Sequence, residues 1–147
     1  MHSHFDISFN GHALMYVKKQ TNEICLEAVR ENGYAIQHIK EQTEEICMET
    51  VKRDGHAIQH IKEQTEKICM EAIRKNPNAL RHVKEQTEKI CIEAIRGSVY
   101  ALEYVKIKLS KESLVLIDLL YGNEIEKKFL LKKKYAKLLK LIYEDIK

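Results

Sequence analysis

"EQTEEICMETVKRDGHAIQHIK" spans Glu41–Lys62, and the chain says it again with small changes as "EQTEKICMEAIRKNPNALRHVK" over Glu63–Lys84. This repetition decides the fold. Thr21, Thr43, Thr65 and Thr87 recur every 22 residues, as do Cys25, Cys47, Cys69 and Cys91. Ala13, Ala35, Ala57, Ala79 and Ala101 keep the same period. Four copies are complete, and a fifth opens with "ALEYVK" at Ala101 and then departs. Self-similarity at a fixed period of 20–50 residues marks stacked supersecondary units.

Each unit reads as two short helices. Thr43 before "EEICMETVKR" is a favourable N-cap, and the acidic residues after it suit the helix dipole. Ile46, Cys47, Thr50 and Val51 fall at i, i+1, i+4, i+5, one face of a helix. Asn32-Gly33 and Asp54-Gly55 are expected to supply a left-handed stop, with Asn76-Pro77 ending the next copy. "HAIQHIKEQ" then puts Ala57, Ile58 and Ile61 on one side and Gln59, Lys62 and Glu63 on the other, in a helix of barely two turns. Helices this short are marginal alone in water. Stacked, they bury a continuous Ala/Ile/Val/Cys stripe, so the expected fold is all-α: an α-solenoid of short helical hairpins over residues 10–106.

Residues 107–147 abandon the repeat. "SKESLVLIDLLYGN" predicts a helix capped by Ser110 and ended at Gly122, and a second amphipathic helix is expected over Glu124–Ile146, with Phe129, Leu130, Tyr135, Leu138 and Ile142 available for packing. This segment holds 10 lysines against 6 acidic residues, a net +4, whereas the rest of the chain sums to −1. The end of a solenoid must differ from its middle to close the apolar stripe, so a lysine-rich helical cap is the simplest role. Residues 1–9 are expected to form a smaller N-terminal cap or arm.

Composition narrows the function classes. The chain has 147 residues, 44% hydrophobic and 32% charged, with one proline and no tryptophan. A net charge of +3 demands no polyanionic partner. No apolar run approaches the roughly 18 residues needed to span a bilayer. "MHSHFDISF" lacks a basic segment followed by an apolar one, so an intracellular, reducing setting is the expectation.

The phrase "NGYAIQHIKEQTEEICMETVK" resembles the short tandem repeats of unknown function that abound in mimivirus-type giant viruses, with relatives in amoebal bacteria. The matching positions are Asn32-Gly33, Ala35-Ile36, Ile39-Lys40, Gln42-Thr43, Ile46-Cys47 and Val51-Lys52. The resemblance implies an intracellular viral repeat protein, in host cytoplasm or virion. It brings no catalytic residues and does not reach the lysine-rich tail.

Four cysteines raise the question of bridges or zinc. Equivalent positions on packed helices lie roughly 8–10 Å apart, while a disulfide needs Cα atoms within about 7 Å. Small buried hydrophobes are therefore expected. His38, His60 and His82 form a second column, with Tyr16 and Tyr104 at its ends. Tyrosine replaces histidine in packing, not in zinc binding, so a half-buried aromatic stripe is expected rather than a metal site. The Gln-Thr pairs at 20/21, 42/43, 64/65 and 86/87 fit capping and satisfaction of backbone groups at the turn. No nucleophile with a base and no phosphate loop stands out, so neither catalytic residues nor a cofactor is assigned, and the chain reads as non-enzymatic.

Two functions remain. The first is a protein-binding scaffold or self-assembling module. Its candidate face is Gln37, His38, Gln59, His60, Arg81 and His82. The second is nucleic-acid binding, either one base per tier through that same face or through Lys127, Lys128, Lys132, Lys133, Lys134 and Lys137. The charge of the repeats argues against the second, because phosphate binding calls for a basic stripe.

Overall fold

The structure, a computed structural model, describes residues 12–145, and within them each 22-residue unit folds as a 3-10 helix followed by an α-helix. The 3-10 helices are His12–Tyr16, Gly33–His38, Gly55–His60, Pro77–His82 and Val99–Tyr104. The α-helices of the repeats are α1 (Asn22–Glu31), α2 (Glu44–Arg53), α3 (Glu66–Lys75) and α4 (Glu88–Gly97); α5 (Lys111–Glu126) and α6 (Phe129–Asp145) follow. The repeat helices α1 to α4 pack side by side in order, as do successive 3-10 helices, and α5 packs on α6. The result is a two-layer helical solenoid with a helical pair at its C-terminal end.

The caps follow the sequence. Each threonine hydroxyl accepts from the amide three residues on, Ile24, Ile46, Ile68 or Ile90, at 3.3 Å. The second helix of each unit is 3-10 rather than α. Six residues in that form span about 12 Å, where an α-helix would cover about 9 Å. The tighter helix also eclipses Gly33, Ile36 and Ile39 on the inner side, all three buried.

The expected left-handed stop is not there. Asn32, Asp54 and Asn76 sit in extended backbone, at φ of −148°, −149° and −150°. Each ends one helix and caps the next: its side-chain oxygen accepts from the amide two residues on at 3.0, 2.9 and 3.0 Å. The glycine serves close approach instead, since a β-carbon on Gly55 would lie 2.5 Å from the carbonyl oxygen of Ala72.

Between the layers lies the core. Leu14, Ile36, Ile58, Leu80 and Leu102 form one column at 0% exposure, and the four cysteines and the alanines form others. Thr50 stands where neighbouring tiers have alanine, and its buried hydroxyl donates to the Ile46 carbonyl at 2.7 Å, so that hydroxyl is not stranded.

Glutamine ties the tiers together. Gln64 Nε2 donates to the Ile58 carbonyl of its own tier at 3.0 Å and to the His82 carbonyl of the next at 3.1 Å, while Oε1 accepts from the Lys84 amide at 2.9 Å. Gln20, Gln42 and Gln86 repeat the same three bonds. Both amide hydrogens are used, one as a second partner for a carbonyl that already accepts from the amide three residues on, the other on the carbonyl that ends the next 3-10 helix.

At the C-terminal end, Ser110 caps α5 as expected, accepting from the Ser113 amide at 3.2 Å. The helix does not stop at Gly122; it runs on to Glu126, and α6 begins at Phe129 rather than Glu124. Burial of Ile125 rewards the extra turn by about 1.5–3 kcal/mol, more than the roughly 1 kcal/mol that a helical glycine costs. α6 lies on the last 3-10 helix, Leu114, Ile117, Ile125, Tyr135 and Leu138 are buried, and the Tyr135 hydroxyl donates to the Leu114 carbonyl at 3.1 Å. Residues 1–9, Ile146 and the side chains of Phe129, Leu130 and Ile142 lie outside what the structure describes.

Candidate interaction edge

The outer margin of the 3-10 layer collects the side chains singled out from the sequence. His38, His60, His82 and Tyr104 are half-buried, and Tyr16 is 81% exposed. The histidines do not stack on one another down a column. Two rungs instead join the second residue of one 3-10 helix to the last residue of the next. Tyr34 meets His60 edge-on with centroids 5.4 Å apart, and His56 meets His82 at 5.5 Å. Arg81 lies 5.5 Å over the Tyr104 ring. Tyr34 and His56 escaped the sequence reading, although a tyrosine or histidine right after Gly33 and Gly55, offset by four from the histidine column, was the available signal.

Hydrogen bonds fix one of these rings. Asn76 Oδ1 accepts from the Asn78 amide, which leaves its Nδ2 to donate to His56 Nε2 at 3.0 Å. His82, against it, has its pKa pushed below the usual histidine range, first by burial and then by the charges of His56, Arg81, Lys106 and His60.

A row of lysines runs beside the rungs. Lys62 Nζ donates to the Lys40 carbonyl at 3.3 Å, Lys84 Nζ to the Lys62 and Ile61 carbonyls at 3.5 and 3.4 Å, and Lys106 Nζ to the Arg81 carbonyl at 3.3 Å. These cations cap the carbonyl ends of the preceding 3-10 helices, a favourable place for positive charge. That accounts for one lysine per tier.

Of the candidate face, Gln37 and Arg81 are exposed, and Gln59 donates to the His56 carbonyl at 3.1 Å and to the Tyr34 hydroxyl at 3.5 Å. The residue at this place is exposed in every tier: Met15, Gln37, Gln59, Arg81 and Glu103. The lysines of the tail are less uniform. Lys128 bonds to the Tyr100 hydroxyl with its ammonium 4.5 Å from the ring centroid, and Lys132 pairs with Glu126 at 2.9 Å. Lys127, Lys133 and Lys137 are exposed, and Lys134 is half-buried.

The four cysteines are buried and unbridged. Cys47, Cys69 and Cys91 have thiol pKa values pushed up to about 11, mainly by burial. Among the described residues no three His, Cys, Asp or Glu side chains are grouped to hold a metal ion, and no helix is long and apolar enough to cross a membrane.

Residues 43–88, two periods of the repeat, match a domain of unknown function, DUF4116. No curated protein and no solved structure matches the chain.

Proposed function

We propose that the chain is a non-enzymatic helical-repeat protein that works as a protein–protein interaction scaffold through the outer edge of its 3-10 layer. One observation carries this reading. The side chains that stay the same from copy to copy, Gln, Thr, Cys and Lys, are consumed by the stack itself, whereas Met15, Gln37, Gln59, Arg81 and Glu103 are exposed and change chemistry at every step but that from Gln37 to Gln59. A fixed frame with a variable outer column is how a solenoid presents an extended surface to a partner. The mixed chemistry of that column suits a protein better than a phosphate backbone, which calls for uniform positive charge. The resemblance to giant-virus repeats supports an infected host cell as the setting in which such a partner is met.

The test is affinity capture from host-cell extract with partners identified by mass spectrometry, comparing the native chain with a Gln37→Glu/Arg81→Glu variant. A partner held by the first and lost by the second, at equal melting temperature, is the expected result. Capture indifferent to both substitutions would overturn the edge as the binding surface. Nucleic acid remains the competing partner because Lys127, Lys133 and Lys137 are exposed on one short stretch. Binding to a random oligonucleotide that falls steeply between about 50 and 200 mM salt would decide for it.

A further inference from the structure

We propose that the joint between the 3-10 helices Gly55–His60 and Pro77–His82 is an acid-opened seam, closed by His56 and His82 while their rings are neutral and parted on its outer side when both carry protons. The two imidazoles meet edge-on with centroids 5.5 Å apart. Histidine is the side chain that gains charge between about pH 7 and 5. Acid therefore sets two like charges across this joint at ring-contact distance, where they repel.

The other two contacts of the row behave differently. His60 meets Tyr34 with centroids 5.4 Å apart, so a proton there places one cation against a neutral ring. Arg81 over Tyr104 keeps its charge throughout this range. The acid response is thus directed at the joint in the middle of the edge, between Gln59 and Arg81.

The surroundings of the rung give a second proton little help. His82 is half-buried, and the charges that reach it come from His56 and His60 on the helix before, Arg81 on its own helix and Lys106 beyond the helix after. All four are cationic when charged. α3 and α4 pack on the same 3-10 helix and add no carboxylate to that set. His56 is half-buried too, and across the joint it faces His82 and the Asn76 side chain, 3.0 Å away. From the helix before, Tyr34 turns its hydroxyl to Gln59. Asp54, the carboxylate nearest to His56 in the chain, is engaged by the His56 backbone amide at 2.9 Å.

Gln64 limits the opening. It bonds the Ile58 and His82 carbonyls on either side of the same joint and does not titrate, and Ala57, Ile58, Ala79 and Leu80 are buried beneath. The rings part while the stack holds. Each tier of a solenoid contacts only its neighbours, so the rung can open without disturbing the tiers further along.

The seam does not rest on the edge as a binding surface: it operates in the chain alone, and a silent edge would leave it standing. Two measurements on the full chain test it. Nuclear Overhauser contacts between ring protons should join His56 to His82 and Tyr34 to His60 at pH 7.5. At pH 5 the first should vanish and the second persist, with helix content unchanged. A His56–His82 contact that survives at pH 5, or loss of both contacts together, would overturn the seam.

Melting temperatures at pH 7.5 and 5 supply the second measurement, with tyrosine as the substituent because other tiers carry it at these places, as Tyr34 and Tyr100 or Tyr16 and Tyr104. His56→Tyr and His82→Tyr should each at least halve the drop that the native chain suffers. His56→Tyr/His82→Tyr should do no better than His82→Tyr alone, since either substitution removes the repulsion. His60→Tyr should leave most of the drop in place. A His56→Tyr chain that loses as much as the native one, or gains that simply add in the double variant, would show that the rings titrate independently and overturn the proposal. A His60→Tyr gain as large as that of His82→Tyr would overturn it as well, by moving the response off this rung.

Discussion

Pro77 and Gly97 are a matched pair across adjoining tiers: a β-carbon on Gly97 would lie 2.4 Å from Cγ of the Pro77 ring. In the two preceding tiers the first position of the 3-10 helix is glycine, Gly33 and Gly55, and the last residue of the following α-helix is a full side chain, Arg53 and Lys75. Here the bulk has moved from one side of the contact to the other.

Gly97→Ala should therefore destabilise, because the ring cannot swing aside; overpacking of this kind costs about 1–3 kcal/mol. In a Pro77→Gly background the same substitution should stabilise by about 0.5–1 kcal/mol, the helix-propensity gain of alanine. Urea denaturation of the four proteins of the cycle checks the change of sign.

Gln64→Ala should be among the most damaging single changes in the repeats. It removes a side chain that answers the Ile58 and His82 carbonyls and the Lys84 amide at once. The Ile58 carbonyl keeps the Ile61 amide, so the loss falls on the His82 carbonyl and the Lys84 amide and costs about 2–4 kcal/mol in total. Gln59→Ala, five residues away but exposed, should change stability by no more than about 0.5 kcal/mol. Equal effects in thermal melts would mean that the ladder contributes nothing.

Cys47, Cys69 and Cys91 should resist a thiol-specific reagent at pH 8 in the folded chain. Burial excludes the reagent, and with a thiol pKa of about 11 only about one molecule in a thousand is thiolate at that pH. Unfolding should expose all of them together. Rapid labelling of the native protein would place a cysteine at the surface.

The period and the periodicity within each unit were enough to place the tiers, the threonine caps and the buried faces. Ile46, Cys47, Thr50 and Val51 are all buried, because a 22-residue repeat can hide its apolar residues only against its neighbours. Backbone geometry was less legible. Asn-Gly and Asp-Gly signal a left-handed turn in isolation, but here the side chain of Asn32 or Asp54 caps the next helix, and the glycine makes room for the next tier. That contact is between tiers and leaves no local trace in the sequence. The cross-tier rungs were half visible: the histidine column was seen, but not that Tyr34 and His56 supply its partners. The helix end expected at Gly122 failed because Ile125 finds a buried place only if the helix continues.

Acid should weaken the fold through His82. Its folded pKa is depressed, foremost by burial, so between that value and the ordinary histidine pKa near 6.5 the unfolded chain binds the proton more readily. Stability is fully present above the unfolded value and is lost as pH falls through and below it. His82→Phe keeps a ring against His56 without the titration. Its melting temperature should match the native chain at pH 7.5 and fall less between pH 6.5 and 5. Parallel declines would remove His82 as the cause.

Truncation after Leu109 should cost the solenoid its closure. Val99, Ala101, Leu102, Val105 and Leu109 are buried, and α6 lies on the 3-10 helix that carries the first three. Uncovering each large apolar side chain loses about 1.5–3 kcal/mol. Three or four such losses rival the 5–15 kcal/mol, roughly, that holds a whole domain together. Its comparator is the full-length chain. The truncated chain should melt well below that comparator and elute from gel filtration as aggregate, since its last tier presents an open apolar face. A soluble truncated monomer that melts alongside the full-length chain would show that α5 and α6 contribute nothing to the stack. The lysines of α6 would then be left without a structural reason for their helix.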